Sequence, residues 1–261
     1  MTGASYRPRL QGVRPARTVA VAAVAGLALA AGPATAQELF RFTGTAYAGS
    51  EQPVYEEQHQ VRGQCLQGRF RPEQHEVRYV DVGSGETIGS KQLTYPGRLT
   101  QPEVRFELPS WQQSLVITSS GNGELRVESR ERGNLETARV EISDAVVVDA
   151  GFDHLVREHW STLLNGESVP FRFLAPSRGE HYSFELEPEP GNDYHLAVTI
   201  RPSGLMMRLL VDPIVLGYDR TGALVHYAGL TNIPRTRDQN HEADIRYQVT
   251  TQPACPLLSP Q

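Results

Sequence analysis

Apolar and polar residues alternate along most of the chain from residue 39 onward. In the segments 104–108, 171–173, 182–186 and 194–200, every second residue is apolar. Alternation with a period of two is typical of half-buried β-strands. Short turn sequences such as Gly83-Ser84-Gly85 separate these segments, and such short connections join antiparallel neighbours. The pattern therefore predicts about a dozen or more strands, arranged mainly as an antiparallel meander.

One segment departs from this alternation. From Phe152 to Leu164 the apolar residues recur at the spacing of an amphipathic helix. Asp149 or Asp153 is the predicted N-terminal cap of this helix, and Asn165-Gly166 is its predicted end.

The helix and the strands together define the predicted fold class. A single amphipathic helix has to bury its apolar stripe against a sheet, because no second helix is predicted. The fold is therefore expected to be mainly β: a large curved antiparallel sheet, or a partly closed barrel, with one amphipathic helix at about residues 150–165 packed on it.

Apolar residues near this helix suggest a binding groove between helix and sheet. Arg172 and Arg208 are candidates for the rim of such a groove, where they would bind a ligand head group or face solvent. An ordinary filled core between helix and sheet is the alternative interpretation. The candidate groove residues are Phe152, Leu155, Val156, Trp160, Leu163, Phe171, Phe173, Met206 and Met207.

The first 36 residues have the pattern of a cleaved signal peptide. Four arginines precede an uncharged apolar run from Thr18 to Gly32, and small residues lead up to a cleavage site between Ala36 and Gln37. The apolar run is about 15 residues, shorter than the roughly 20 that span a membrane. We therefore predict a signal peptide over residues 1–36, a single β-rich domain over residues 37–261, and no transmembrane helix in the mature chain.

Export of this kind predicts a periplasmic location, with secretion to the exterior as the alternative. After cleavage the chain would keep 21 basic and 30 acidic residues, since the four arginines leave with the signal peptide. This acidic balance, without any basic run, disfavours nucleic acid as a partner.

The two cysteines, Cys65 and Cys255, both follow the predicted cleavage site. An even number of cysteines in an oxidising compartment favours a disulfide bond, and we predict that these two are linked. Two unpaired thiols are the alternative. The cysteines lack the paired spacing of a metal site.

Candidate catalytic motifs are weak throughout the chain. His154 and His159 flank Glu158 on the predicted helix, but histidines five residues apart point in directions about 140° apart and cannot easily share one metal ion. The chain has no G-x-S-x-G motif and no glycine-rich phosphate loop before the helix. We therefore predict no enzyme, no catalytic residues, no metal and no cofactor.

One short sequence occurs twice. The segment 57–62, EQHQVR, recurs as EQHEVR at 73–78. The 16-residue spacing fits two similar strands, although two copies are too few for a repeat architecture and chance is the simpler explanation.

Two blocks of the chain resemble sequences that recur in uncharacterised exported periplasmic proteins of Gram-negative bacteria. The first block runs GFDHLVR from Gly151 through Trp160 to Pro176-Ser177-Arg178, and the second runs DPIVLGYD from Asp212 through Tyr227 to Ile233. This resemblance implies export and brings no catalytic residue with it. At the level of architecture, a curved sheet around a helix is similar to the β half-barrels of lipoprotein carriers, which implies an apolar ligand by analogy of fold.

These observations lead to three functional hypotheses. The first is a soluble, non-enzymatic periplasmic protein that binds a lipid-like or other apolar ligand between the helix and the curved sheet. The second is a structural or interaction protein of the cell envelope that has a filled core and docks with another envelope protein. The third is a hydrolase with a convergent site, which no motif supports.

Overall fold

The computed structural model describes residues 1–5, 37–191, 193–204 and 212–259. The predicted cleavage-site residue Ala36 and the candidate groove and rim residues Met206, Met207 and Arg208 lie outside the described residues. The described strands are β1 (Glu38–Tyr47), β2 (Pro53–Leu66), β3 (Arg69–Asp81), β4 (Thr87–Thr94), β5 (Glu103–Leu108), β6 (Gln113–Gly121), β7 (Glu124–Glu131), β8 (Asn134–Glu141), β9 (Val146–Val147), β10 (Val169–Ala175), β11 (Glu180–Pro188), β12 (Leu196–Pro202), β13 (Ile214–Tyr218), β14 (Leu224–Pro234) and β15 (Asn240–Thr251). The helices are α1 (Gly151–Glu158) and α2 (Trp160–Leu164), and two short 3₁₀ turns cover Pro109–Trp111 and Pro176–Arg178.

All of these strands belong to one sheet. From one edge of the sheet to the other, the spatial order of the strands is β8 to β1 in descending number, followed by β15 to β9 in descending number. The neighbouring strands are antiparallel except for β9 and β10, which are parallel. The two end strands, β8 and β9, are not paired with each other in the described residues, so the sheet is open. The predicted mainly β fold with one large antiparallel sheet is confirmed.

The β9–β10 end of the sheet is covered by the opposite half. Val146 and Val148 are buried in the same cluster as Ile117 and Val127, which lie on β6 and β7. Val147, between them, belongs instead to the cluster that surrounds the helices. Because successive strand residues point to opposite faces, β9 is packed on both sides. The sheet thus coils inward at this end, which protects one of its open edges from pairing with another chain.

The helical segment consists of two parts with a break at His159. Of the predicted apolar stripe, Leu155, Val156, Trp160 and Leu163 are buried and Phe152 is half-buried, whereas Leu164 is 42% exposed. The predicted N-terminal cap is wrong: Ala150 is the cap residue, and no side chain caps the helix. The carboxylate of Asp149 accepts a hydrogen bond from the backbone nitrogen of Ala150 at 2.7 Å but is mainly engaged with Lys91.

A close backbone approach fixes the start of α1. Gly151 lies so near the carbonyl of Thr100, in the β4–β5 connection, that a Cβ atom would lie 2.2 Å from the carbonyl oxygen. The backbone nitrogen of Val148 donates to the same carbonyl at 3.0 Å. Only glycine fits at position 151 without displacing this connection.

A disulfide bond joins Cys65, at the end of β2, to Cys255, in the C-terminal tail. The predicted pairing is therefore confirmed. Next to this bond, the backbone nitrogen of Phe70 donates to the carbonyl of Pro256 at 2.8 Å. Leu257 is buried with Phe40 and Phe70, so the tail is held on β1–β3 by apolar packing as well.

Candidate functional site

The space between the helices and β10–β13 is filled with side chains. Leu155, Val156, Trp160 and Leu163 are at most 8% exposed and pack in one cluster with Phe171. The cluster also contains inward-pointing residues of β12 and β13, such as Val198 and Leu216. Five of the predicted groove residues are therefore brought together, but as members of a packed core.

The remaining described candidates lie at the border of this cluster. Phe152 and Phe173 are partly buried and pack against it. Phe173 also contacts Phe184, with ring centroids 6.0 Å apart. The candidate rim residue Arg172 is exposed, and its Nε atom donates to Nδ1 of His181 at 2.7 Å.

Two polar residues of α1, Asp153 and Arg157, are largely shielded from solvent. Nη1 of Arg157 donates to Oδ2 of Asp153 at 2.5 Å, and its Nε atom donates to the backbone carbonyl of Gly222 at 2.7 Å. The Arg157 side chain is only 9% exposed. Burial and the Asp153 carboxylate raise the pKa of Tyr218 well above its ordinary value. Asp153 and Arg157 are therefore part of the packed surroundings of the helix, whereas Glu158 is exposed.

A chain of hydrogen bonds lies inside the sheet across β15, β2 and β3. The Tyr247 hydroxyl donates to Oε2 of Glu57 at 2.8 Å, and Nε2 of His59 lies 3.1 Å from the same oxygen. Nδ1 of His59 lies 2.9 Å from Nε2 of His75. A carboxylate oxygen accepts hydrogen bonds, so Nε2 of His59 is the donor in its contact with Glu57. We call these four residues the interior relay.

The two histidines of the interior relay occupy corresponding positions of the repeated sequence in β2 and β3. These strands are antiparallel neighbours, with His59 opposite Val77 and Val61 opposite His75. The two histidines are therefore diagonal neighbours on the inner face, close enough to form a hydrogen bond. Sequence reasoning missed this site. His59 stands two residues before Val61, and His75 two residues before Val77, so the alternation places both histidines on the same face as these apolar residues.

A buried ion pair lies on the same inner face. Nζ of Lys91, the only lysine in the chain, is 2.9 Å from both carboxylate oxygens of Asp149. The side chains of Lys91 and Asp149 are 8% and 11% exposed, and Nζ lies 5.2 Å from the centre of the Phe106 ring. The pair links β4 to the residues that precede α1.

A small cavity separates the interior relay from α1. It has a volume of about 30 Å³, which is room for one or two water molecules. His75 lines one side, whereas His154, Asp153 and Arg157 line the other. The ring of His154 packs edge-on against Tyr95, with centroids 5.1 Å apart. A cavity of this size cannot hold a substrate or a lipid.

Both histidines that line the cavity, His75 and His154, are held in the neutral form. Burial is the main cause that lowers the pKa of His75 and of His154 well below the ordinary value. Nearby cationic groups act in the same direction, and Arg157 contributes to both shifts. A proton added to either ring would lie in a poorly solvated place beside another positive charge.

The outer face of β1–β4 carries an open groove of about 520 Å³. We call it the outer groove. Its outward-pointing side chains form two rows, each of which crosses the four strands in register. The first row is Arg41, Gln60, Glu76 and Gln92, and the second row is Thr43, Gln58, Arg78 and Ser90. Sequence reasoning did not identify this groove, since its residues have the alternation of an ordinary solvated face.

Neither the interior relay nor the cavity has the composition of a metal centre. The described part of the chain contains no group of three or more His, Cys, Asp or Glu side chains that could hold a metal ion. In particular, His154 lines the cavity, whereas Glu158 is exposed at the end of α1. No helix in the described residues has the length and apolar character needed to cross a membrane.

The fold and its sites define a β-sheet protein with a coiled, open sheet and a filled interior. No protein-family model matches the chain, and no curated protein matches it. Among solved structures, the chain is similar to a β-barrel-like protein of a domain of unknown function, DUF1849, from Brucella abortus. The two chains are 8% identical, and the match has a TM-score of 0.39 and covers 82% of this chain and 95% of the other.

Proposed function

We propose that this protein is an exported, non-enzymatic structural or interaction protein of the cell envelope, which acts through its surface. The observation that supports this proposal is the filled space between helix and sheet, where the predicted groove residues Leu155, Val156 and Leu163 are almost completely buried. The cavity beside α1 holds only one or two waters, whereas the outer groove is large enough for a ligand.

A periplasmic location is part of this proposal. The signal-peptide pattern of residues 1–36 supports it, and so does the Cys65–Cys255 disulfide, which is compatible with an oxidising compartment. Cleavage between Ala36 and Gln37 would leave β1, which begins at Glu38, intact. Mass measurement of the protein purified from periplasm tests this step, because the expected N-terminal residue is Gln37.

Native mass spectrometry of the periplasmic protein distinguishes a filled core from a ligand groove. We expect the mass of the mature chain alone, because the described residues predicted to line a groove pack against one another. An organic extract of the same sample, analysed separately, is the control for lipid lost during ionisation. Lipid that co-purifies in a constant ratio would contradict the filled core and support the first hypothesis of the sequence analysis.

An apolar ligand is the second candidate function, and one observation favours it. Phe173 and Phe184 are only partly buried, and Phe184 pairs with Pro202 at the end of β12. From Pro202 the chain continues in sequence towards Met206 and Met207. These apolar residues would provide the adaptable surface that a lipid-like ligand requires.

Replacing Met206 with tryptophan tests this second candidate. If a lipid binds beside Phe173 and Phe184, the larger ring is expected to reduce the amount of co-purified lipid per protein several-fold. If no lipid binds, the bound mass is expected to stay unchanged. Thermal unfolding and native mass spectrometry on one preparation separate the two results.

A further inference from the structure

We propose that the outer groove binds an extended peptide segment that carries two acidic side chains three residues apart. This inference rests on the proposed interaction function and names the surface and the chemistry of its partner. The groove opens on the face of β1–β4 opposite to the interior relay, because the residues of its two rows alternate with the buried ones along each strand. The lining also includes inner-face residues of the same strands, namely Phe42, His59, Val77 and Lys91.

The charges of the groove favour an anionic partner. Nε and Nη2 of Arg41 both donate to Oε1 of Gln60, at 3.0 and 2.9 Å, so its guanidinium is held in place without a carboxylate. Arg78 is exposed, and its side chain has no hydrogen bond or ion pair within the described residues. The carboxylate of the groove, Glu76, is already paired with Arg62 at 2.7 Å. Two arginines therefore remain available in a chain whose net charge is −5, and a guanidinium binds a carboxylate by two parallel hydrogen bonds.

The other groups in the groove suit a peptide backbone. The side-chain amides of Gln58 and Gln92 have no partner among the described residues. Each amide can donate and accept, which matches the alternating N–H and C=O groups of an extended peptide. The outward-pointing side chains of the groove include no aromatic ring, so a base or a sugar would find no surface on which to stack.

The register of the strands sets the spacing of the acidic residues. Arg41 lies in the first row on β1, and Arg78 lies in the second row on β3. Two strand steps separate them along the groove, about 10 Å, which is the length of three extended residues. Residues three apart in an extended peptide point to opposite sides, as the two rows require. Acidic residues two or four apart would both point towards the same row.

Three fluorescent peptides test this proposal directly. They have the same neutral serine-rich sequence and contain two glutamates separated by two, three or four positions. We expect the peptide with a spacing of three to bind the folded mature protein with a Kd at least fivefold lower than the other two, as measured by fluorescence anisotropy. Equal affinities for the three peptides, or no measurable binding, would overturn the proposal.

Variants of the two arginines locate the binding surface. The double variant R41Q/R78Q is expected to raise the Kd at least tenfold, whereas R41K/R78K keeps the charge and is expected to have an intermediate effect. The matched control is R126Q, which removes an arginine from the outer face on β7, away from the groove.

A uronic-acid oligosaccharide that binds in place of the peptide would also contradict the proposal. If the peptides fail to bind and no lipid co-purifies, the peptide proposal is wrong while the proposed structural or interaction function is retained. The failure of one proposal can therefore be distinguished from the failure of the other.

Discussion

Lowering the pH from 7.5 to 5.0 is expected to reduce the free energy of unfolding, with His75 and His154 contributing at most about 4 kcal/mol. The pKa values of His75 and His154 lie well below 6.5 in the folded protein, mainly through burial. Below pH 6.5 the unfolded chain takes up a proton on each of these residues, whereas the folded protein does not. Stability is therefore fully present above about pH 6.5 and falls as the pH drops from there towards the folded pKa values of the two residues. Urea unfolding at several pH values measures this slope.

The double variant H75Q/H154Q shows whether these residues cause the loss. Because glutamine does not titrate, most of the pH dependence between 7.5 and 5.0 is expected to disappear, even if the variant is less stable at pH 7.5. The control is Y95F, which alters the neighbour of His154 without removing a histidine and is expected to keep the slope of the natural protein. An unchanged slope in H75Q/H154Q would show that the acid sensitivity comes from other groups.

The strands of this fold could be predicted because alternation and turn residues are local features. The segments around Val104, Phe106 and Leu108 and around Tyr182 and Leu186 became strands with the expected inner face. The inward coil of the sheet could not be predicted in the same way. It depends on Val146 and Val148 reaching a cluster formed by β4–β8, a contact between distant parts of the chain that no local pattern encodes.

The interior relay shows a second limit of pattern reading. Glu57 and His59 alternate with more exposed residues, as the polar residues of a solvated face do. They lie on the inner face because each is separated by an even number of residues from the buried Tyr55 and Val61. A polar residue at a position where the alternation predicts an apolar one is therefore the feature that could have revealed this site. Lys91 follows the same rule, because it shares its face with the buried Leu93.

The prediction of a groove depended on the packing density around the helix as well as on the positions of its residues. The helical spacing correctly placed Leu155, Trp160 and Leu163 on the side of the sheet. Whether such residues line a cavity or fill a core depends on how closely the facing side chains approach, which is decided by the volumes of residues on β10–β13 together. The sequence of the helix alone does not contain that information.

Replacing Asp149 with asparagine is expected to lower the free energy of unfolding by about 3–5 kcal/mol at pH 7, because it leaves the ammonium of Lys91 buried without a carboxylate. Asparagine has nearly the same shape, and it tolerates the left-handed backbone of this position, where φ is 46°. The loss of charge is thus the main change. Urea unfolding at pH 7 measures the effect against the natural protein.

Two further variants show whether the charge interaction is the cause. The double variant K91M/D149N removes both charges and is expected to recover much of the stability, because paired removal of a buried ion pair is often close to neutral. The control D144N breaks the exposed pair between Asp144 and Arg98, whose side chains are 80% and 50% exposed, and is expected to change stability by less than about 1 kcal/mol. If D149N costs no more than D144N, the Lys91–Asp149 pair does not hold α1 to β4. If it costs the expected amount and K91M/D149N restores it, the only lysine of the chain has a structural role, which explains why the inner face of β4 carries a charge between Gly89 and Leu93.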